Sequence, residues 1–167
     1  MIGAKAGNRV LVVGAANGAL VAELALITGL NGRTLVVDRS ATTRAQVEAA
    51  AARAGALVDY EDAPAAMLPL DADTFDVVVI QQGLAGAADR SPIVAEATRV
   101  LRTGGRVIAI EAAPRAGVFG AVARSAAPKA DAKALLQTLT AAGLKAVRVL
   151  SEADGVLYLE GTKAKLS

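Results

Sequence analysis

Short apolar runs alternate with segments of helical periodicity along most of the chain. The apolar runs are rich in β-branched residues and lie at 9–13, 34–38, 56–60, 76–80 and 106–110. Consecutive apolar positions, rather than alternating ones, are typical of central parallel strands that are buried on both faces. The pattern therefore predicts five strands of a largely parallel sheet.

The segments between these strands carry helix signals. After Gly18, apolar residues recur at helical spacing until Gly29 closes the segment; they are Leu20, Val21, Leu24 and Ile27. Such spacing followed by a glycine is typical of an amphipathic helix and its end. A second helix is predicted over 40–54, with Ser40 or a nearby Thr as its N-cap and Gly55 at its end.

The stretch SPIVAEATRVLRTGG has the clearest helix punctuation. Ser91 is the predicted N-cap, and Pro92 occupies the first turn, where a missing N–H costs nothing. The glycine pair at 104–105 is expected to end this helix. A further helix is predicted over 131–142, stopping at Gly143.

The last two apolar runs predict an antiparallel hairpin. They lie at 145–150 and 156–161 and are joined by the turn-like SEADG. A β-α unit repeated about five times and followed by a hairpin gives a three-layer α/β/α sandwich. We therefore predict a single domain over 1–167, with a Rossmann-like, mostly parallel seven-stranded sheet and an antiparallel hairpin at its edge.

Composition narrows the chemistry that this fold can carry. The chain is 54% hydrophobic and 2% aromatic, and it has no Cys and no His, so no thiolate chemistry and no metal site are predicted. Its 18 basic and 16 acidic residues are interspersed, which gives no nucleic-acid surface. No apolar run reaches the roughly 20 residues of a membrane span, and the start lacks a signal-peptide pattern. A cytoplasmic location is expected.

The loop GAANG follows the first predicted strand and leads directly into a helix. Such a turn presents backbone N–H groups and the helix N-terminus at the carboxyl edge of the sheet, where open α/β sheets bind ligands. Gly14 permits a tight turn, and Gly18 is expected to let the helix pack close to the strand. Asp38, 24 positions after Gly14, suits ribose hydroxyls, so an adenosine-containing cofactor is indicated. The alternative is a turn without a ligand and an Asp that caps a helix.

Three blocks of sequence resemble the class I S-adenosylmethionine-dependent methyltransferases, most of all the ubiquinone and menaquinone C-methyltransferase branch. The blocks are VLVVGAANG, LPLDADTFDVVVIQQGL and EATRVLRTGGRVIAIE. The later segments LLQTLTAAGLKAVRV and YLEGTKA resemble the closing helix and reversed hairpin of that family. The resemblance implies methyl transfer from S-adenosylmethionine to a small-molecule acceptor.

The resemblance also implies roles for residues of the loop. Gly14, Ala16 and Gly18 would line the methionine part of S-adenosylmethionine, and Asp38 would hold its ribose hydroxyls. The sequence departs from the family pattern at two loop positions. Ala16 replaces the middle glycine, and Val12 stands where the family commonly has an acidic residue that helps to organise the ammonium group of the cofactor. The change at Val12 is expected to weaken binding unless another group substitutes, whereas the Ala16 methyl group either crowds the cofactor or is harmless.

Three more positions follow from the same resemblance. Asp62, with the backbone of Ala63, would contact adenine, although the distance along the chain from Asp62 to LPL is longer than usual. Gln81 lies just after the fourth predicted strand, where the backbone commonly approaches the methionine amine.

The family usually places helices before the first strand, where they cover the cofactor, and here only about eight residues precede that strand. A cover is therefore expected from 112–130, from 83–90 or from another chain. The first of these segments contains Phe119 and the cations Arg115 and Arg124. Its alternative interpretation is a solvated loop with a short helix.

Candidates for a general base lie near the predicted carboxyl edge. They are Asp89, Glu111 and Tyr60, of which Glu111, at the end of the fifth strand, is the first to test. Methyl transfer needs such a base only when the acceptor must lose a proton, so no catalytic residue is assigned. A strand-end Glu can equally serve as a cap or a surface charge.

Three functions therefore remain open. The first is an S-adenosylmethionine-dependent methyltransferase that acts on a small molecule. The second is a catalytically inactive relative that serves as a binding or structural subunit, with a second copy or a protein partner covering an open cleft. The third is a short-chain NAD(P) reductase, although neither Tyr60 nor Tyr158 is followed four residues later by the Lys that this class requires.

Overall fold

A computed structural model describes residues 2–113 and 130–164. Within these ranges seven strands form one sheet in the order β3-β2-β1-β4-β5-β7-β6. In chain order the elements are β1 (Arg9–Val13), α1 (Gly18–Thr28), β2 (Arg33–Val37), α2 (Ala41–Ala54), β3 (Asp59–Glu61), β4 (Phe75–Gln81), α3 (Ser91–Val100), β5 (Leu101–Ala112), α4 (Ala132–Ala141), β6 (Lys145–Ala153) and β7 (Val156–Thr162). Strands β1 to β5 are parallel, and β7 runs antiparallel to both of its neighbours.

The sheet carries an apolar cluster on each of its two faces. On one face, alternate residues of the central strands pack against α1 and α2, through side chains such as Val21, Leu24 and Val47. On the other face, the intervening residues pack against α3 and α4, through side chains such as Val94 and Leu135. Because the strands are buried on both faces, their apolar runs are continuous. The predicted three-layer α/β/α sandwich is therefore confirmed.

The C-terminal hairpin is arranged differently from a simple addition at the edge. The last strand, β7, lies between β5 and β6, so the chain passes over to the outer edge with β6 and then returns inward. Gly161 of β7 lies close to Leu144, since a Cβ on Gly161 would be 3.0 Å from Cβ of Leu144, tighter than an ordinary van der Waals contact. The antiparallel hairpin was predicted; the insertion of its second strand next to β5 could not be read from the pattern.

Helix α3 ends earlier than its glycine pair suggests. It stops at Val100, and Leu101 already has extended backbone angles, whereas the prediction placed the end at 104–105. The Lys163 ammonium donates to the carbonyl of Leu101 at 2.6 Å and to that of Arg99 at 3.3 Å. A cation at the last carbonyls of a helix satisfies its unpaired acceptors and offsets the partial negative charge there. A contact from Lys163, distant in sequence, therefore stabilises the end of α3.

Both ends of α2 follow the predicted signals. Ser40 caps α2 by accepting the Thr43 N–H at 3.2 Å, and Gly55 ends that helix in the left-handed conformation. Asp131 caps α4 through its carboxylate.

The N-cap of α3 is Arg90 rather than Ser91, and its side chain makes no capping bond. Ile27, predicted on the buried stripe of α1, is instead 41% exposed.

Candidate functional site

The loop after β1 is held between β2 and β4 at the carboxyl edge of the sheet. The Gly14 N–H donates to the Val37 carbonyl at 3.0 Å. Gly14 has a φ of 67°, and a Cβ at this position would lie only 2.9 Å from the carbonyl oxygen of Gln81. Both the left-handed conformation and the close approach require glycine. The prediction that Gly14 permits a tight turn is consistent with this geometry.

Gly18 has a different neighbour from the one expected. A Cβ on Gly18 would lie 3.1 Å from the Gln46 carbonyl oxygen and 3.5 Å from Cβ of Ala50. Gly18 therefore lets α1 approach α2. The prediction that Gly18 is needed for close packing of α1 on the strand is wrong, because a Cβ there would meet α2. Ala16, between the two glycines, is exposed.

The sequence reasoning missed the role of Asn17 in this loop. Its side-chain oxygen accepts the Leu20 N–H at 3.2 Å and so caps α1. An Asn immediately before a helical pattern is a recognised capping signal, which could have identified it. The first turn of any helix leaves backbone N–H groups without intrahelical partners. At α1 these donors lie at the carboxyl edge of the sheet.

Asp38 joins the loop to the start of α2. One carboxylate oxygen accepts the Ala15 N–H at 3.2 Å, and the other accepts the Ser40 N–H at 2.7 Å. A carboxylate has about four lone-pair sites on its two oxygens, so further acceptor capacity remains on each oxygen. The expected acceptor for a diol therefore lies at the carboxyl end of β2, with its position fixed by two backbone donors.

The Tyr60 hydroxyl is influenced by the charges of both Asp38 and Asp62. Burial is the largest cause of a raised pKa at the Tyr60 hydroxyl, and the nearby carboxylates of Asp38 and Asp62 raise this pKa further. The hydroxyl donates to the Ser40 carbonyl at 3.3 Å, and the Arg44 guanidinium lies 5.2 Å from the ring centre. Tyr60 is therefore protonated at neutral pH and is not available as a base. We call Asp38, Asp62 and Tyr60 the acceptor end of the site.

Asp62 and Ala63 follow β3 directly and differ in exposure. The Asp62 side chain is exposed, whereas Ala63 is buried in the apolar cluster on the α3 and α4 face. The Asp62 carboxylate is therefore open to a ligand, and the Ala63 backbone is anchored by its side chain. Their roles toward adenine remain predictions.

Gln81 ends β4 opposite Gly14. Its side chain is 4% exposed, and its carboxamide oxygen accepts the Asn17 N–H at 2.9 Å. Its carboxamide nitrogen, Nε2, has no hydrogen-bond partner among the described residues. Sequence reasoning assigned only the backbone of Gln81 to the site, so the side-chain contact is a new finding. We call Asn17, Gln81 and the first turn of α1 the donor end of the site.

Val12 is buried and packs with the aliphatic side chains of β2 and β4, Val36 and Val79 among them. The acid that the family commonly has at this position is therefore replaced by an aliphatic side chain. Because β1 and β4 pair Val12 with Val79, the side chain of Gln81 lies two residues further along the same face of the sheet. The polar side chain next to the loop is therefore on β4 instead of β1.

Glu111 is neither a surface charge nor a free base. It is 1% exposed, and its carboxylate accepts backbone N–H groups from Gly83 at 3.1 Å, Leu84 at 2.9 Å and Ala85 at 3.2 Å. Burial raises the pKa of this carboxyl group, and the three backbone hydrogen bonds oppose that rise. Glu111 therefore holds the loop after β4 in place. Its position at the end of an apolar strand did not indicate this role in the sequence.

Asp89, the remaining candidate base, lies at the start of α3. Its carboxylate accepts the Ser91 N–H at 3.0 Å, so it serves the capping role that was predicted for Ser91.

Most of the expected cover, including Phe119, Arg115 and Arg124, lies outside the described residues. Among the described ranges, no helix is both long and apolar enough to cross a membrane.

Comparison with known proteins agrees with this architecture. Residues 11–109 match the family described as "Methyltransferase domain". This match covers more than half of the chain and runs from β1 into β5. The chain belongs to the class I S-adenosylmethionine-dependent methyltransferase family.

Two similar curated proteins carry the same description. The ubiquinone/menaquinone biosynthesis C-methyltransferase UbiE of Marinomonas sp. (strain MWYL1) is 32% identical over 111 residues, which is 65% of this chain and 44% of that protein. UbiE of Geobacter sulfurreducens is 34% identical over 116 residues, which is 68% of this chain and 45% of that protein. The chain thus spans less than half the length of these curated relatives.

Solved structures show the same fold at low sequence identity. A SAM-dependent methyltransferase from Aquifex aeolicus has a TM-score of 0.79 at 18% identity, covering 96% of this chain and 84% of the other. The [4+2]-cyclase SpnF has a TM-score of 0.75 at 20% identity, covering 96% and 76%. The strand order also separates this chain from the dinucleotide-binding order 3-2-1-4-5-6, which disfavours the reductase alternative.

Proposed function

We propose that the chain transfers a methyl group from S-adenosylmethionine to a small-molecule acceptor. The observation that carries this proposal is the pairing of an acceptor end with a donor end along one edge of the sheet. Asp38 keeps free lone pairs after accepting two backbone N–H groups. Gln81 keeps a buried N–H₂ group that has no partner among the described residues. These residues fit a molecule with a diol at one end and an amino acid at the other.

Each part of the cofactor has a candidate partner. Asp38 would hold the ribose hydroxyls, Asp62 and the Ala63 backbone would contact adenine, and the 14–18 loop with Gln81 would hold the methionine part. Ala16 and Gly18 belong to this loop, although Gly18 acts through the packing of α1 on α2. The sulfonium supplies an activated methyl group that a nucleophilic acceptor atom takes by in-line displacement, which leaves the thioether S-adenosylhomocysteine.

The residues of this chain contribute mainly by positioning. Holding a donor and an acceptor in an attack geometry supplies a large part of the barrier reduction in such displacements. Of the predicted bases, Glu111 is buried and Tyr60 is protonated, whereas the exposed Asp89 carboxylate accepts one backbone N–H. We therefore assign no catalytic base. Nothing in the contacts of residues 2–113 and 130–164 favours the inactive alternative.

The acceptor and the location belong to the proposal as well. The named relatives are C-methyltransferases of ubiquinone and menaquinone biosynthesis, which favours a small organic acceptor for this chain. A second copy or a protein partner over the cleft, and a cytoplasmic location, also remain predictions.

Calorimetric titration tests the proposal. Wild-type protein should give a saturable heat with S-adenosylhomocysteine and no heat with NAD⁺ or NADP⁺. Transfer of a labelled methyl group from S-adenosylmethionine to a panel of small phenols and quinols would then distinguish an enzyme from a binding subunit. No heat and no thermal shift at millimolar S-adenosylhomocysteine would refute cofactor binding. Saturable binding without transfer to any acceptor would favour the inactive alternative.

A further inference from the structure

The buried carboxamide of Gln81 is hydrogen-bonded through its oxygen and unpaired at its nitrogen among the described residues. The side chain is 4% exposed, and its oxygen accepts the Asn17 N–H at 2.9 Å. The nitrogen Nε2 is buried without a partner among the described residues. A buried donor left unpaired destabilises the folded protein, because it has lost its bond to water without gaining another. An acceptor that is not part of the described chain would remove this cost.

The orientation of the carboxamide follows from its one hydrogen bond. The Asn17 backbone supplies only a donor, so the end of the amide that faces it must be the oxygen. Exchanging the two ends would place two donors against each other. Nε2, with its two hydrogens, is therefore the group left over.

The surroundings of this carboxamide contain donors and aliphatic groups. Asn17 begins α1, an 11-residue helix whose N-terminus carries partial positive charge. On the same face of the sheet, the neighbouring side chains of β1 and β4 are Val12 and Val79. The Asp38 carboxylate, which accepts the Ala15 N–H of the same loop, also accepts the Ser40 N–H. The donor end therefore suits a ligand group that only accepts hydrogen bonds.

We propose that the Gln81 side chain is a specificity determinant that recognises the carboxylate at the amino-acid end of the bound cofactor through Nε2. This inference rests on the proposed function. A carboxylate has only acceptor sites, and an anion is stabilised at a helix N-terminus by backbone N–H groups and the helix dipole. The contact satisfies the unmatched donor and places the carboxylate beside α1. It also separates the carboxylate from the acidic residues of the acceptor end.

Gln81→Glu tests this assignment with little change in shape. A glutamate keeps an oxygen for the Asn17 N–H and replaces the donor nitrogen with a second, negatively charged acceptor. The probes are S-adenosylhomocysteine and its decarboxylated analogue, which retains the amine and lacks only the carboxylate. We expect the variant to lose about tenfold or more in affinity for S-adenosylhomocysteine, while the affinity for the decarboxylated analogue is maintained or rises.

Gln82→Glu is the matched control, because it adds the same charge one position further on an exposed side chain. It should weaken both ligands by less than about threefold, since exposed charges are screened. Gln81→Leu, which removes the amide without adding charge, replaces Gln81→Glu if thermal unfolding shows that the latter does not fold. The same preferential loss of S-adenosylhomocysteine is expected.

Two results would overturn the assignment. If both Gln81 variants weaken the two ligands equally, the side chain acts only on the shape of the loop. If neither variant changes either affinity, a water molecule satisfies Nε2 and the residue is not a determinant. If wild-type protein binds neither ligand, the proposed function itself fails, and the inference fails with it.

Discussion

The two ends of the candidate site are built from opposite kinds of hydrogen-bonding group. The acceptor end has two carboxylates, Asp38 and Asp62, with the Tyr60 hydroxyl affected by both. The donor end has the first turn of α1 and the unmatched nitrogen of Gln81, next to the aliphatic Val12. A ligand with acceptors at one end and donors at the other can therefore lie along this edge in only one direction.

This difference bears on the proposed function, because the acid that the family commonly carries on β1 is replaced here by Val12. Val12 is fully buried in an aliphatic cluster, so no polar group projects from that position. The polar side chain is supplied by Gln81 on the neighbouring strand instead. A carboxamide recognises a carboxylate where an acid would recognise an ammonium group. We propose that this departure changes which part of the ligand is recognised at the donor end.

Gly14→Ala is expected to have the largest effect, because it acts on both ends at once. The new Cβ would lie 2.9 Å from the Gln81 carbonyl oxygen, and the φ of 67° is unfavourable for alanine. We expect a loss of about 2–4 kcal/mol in the free energy of unfolding and loss of ligand binding. Urea unfolding and calorimetry measure the two effects.

Gly7→Ala is the matched control for this substitution. Gly7 has a φ of 81°, but a Cβ on it would have no heavy atom of another residue within 4 Å beyond its chain neighbours, so only backbone strain is added. The cost should be about 1–2 kcal/mol with binding unchanged. An equal cost at the two positions would show that the contact between Gly14 and Gln81 does not matter.

Asp38→Ala should be next in size and should affect the acceptor end alone. The change removes the proposed partner of the ribose hydroxyls and the acceptor for the Ala15 and Ser40 N–H groups. Affinity should fall about tenfold to a hundredfold, and equally for S-adenosylhomocysteine and for 5′-methylthioadenosine, which lacks the amino-acid end. Parallel calorimetric titrations of both ligands give the two ratios.

Asp59→Ala provides the comparison on a neighbouring strand. Asp59 pairs with Arg33 through largely exposed side chains, so its removal should cost less than about 1 kcal/mol and leave both affinities unchanged. If Asp38→Ala weakened S-adenosylhomocysteine and spared 5′-methylthioadenosine, the assignment of the two ends would be reversed.

Glu111→Gln tests the loop that follows β4. A glutamine side chain can accept from Gly83 and Leu84 but leaves the Ala85 N–H facing a donor, which should cost about 1–3 kcal/mol. The folded-state pKa of Glu111 is raised above 4.5 by burial, so its contribution to stability is fully present below the unfolded-state pKa and is lost as pH rises through the folded-state pKa.

The stability difference between wild type and Glu111→Gln should therefore shrink as pH rises above about 4.5. Urea unfolding across pH 4–8 measures this difference. Glu48→Gln, on an exposed helix pair with Arg44, should show a difference of a few tenths of a kcal/mol or less at all pH values. A difference for Glu111→Gln that grows with pH would contradict the raised pKa.

Ala16→Gly should have the smallest effect. The Ala16 side chain is exposed in the loop, and its φ is not positive, so glycine relieves no strain. Added freedom in the unfolded chain should cost about 0.4–1 kcal/mol, with affinity changed by less than about threefold. Ala66→Gly, in another exposed loop, provides the same unfolded-state effect away from the site. A tenfold gain in affinity for Ala16→Gly alone would show that this methyl group crowds the ligand.

The sequence predicted the fold better than it predicted the side-chain contacts of the site. Periodicity located β1 to the residue, because Arg9–Val13 carries a continuous apolar run buried on both faces. It placed β3 early, at 56–60 instead of Asp59–Glu61, because a short edge strand is defined by pairing with β2 rather than by its own apolar residues.

Contacts between distant segments account for most of what the sequence did not show. The bond between Gln81 and Asn17 joins residues 64 positions apart, and the Glu111 bond to Leu84 spans 27 positions. Local propensity carries no information on such pairs, whereas it does encode the Asp38 contact with Ser40, two residues away. The sequence thus identified polar residues at the strand ends, but not their hydrogen-bond partners in distant segments of the chain.

The orientation of a bound ligand tests the central claim most directly. A crystal structure of the protein with S-adenosylhomocysteine should place the ribose hydroxyls within hydrogen-bond distance of the Asp38 carboxylate and the ligand carboxylate within hydrogen-bond distance of Gln81 Nε2. The opposite orientation, with the carboxylate directed away from α1 and Nε2 still unpaired, would contradict an acceptor end and a donor end.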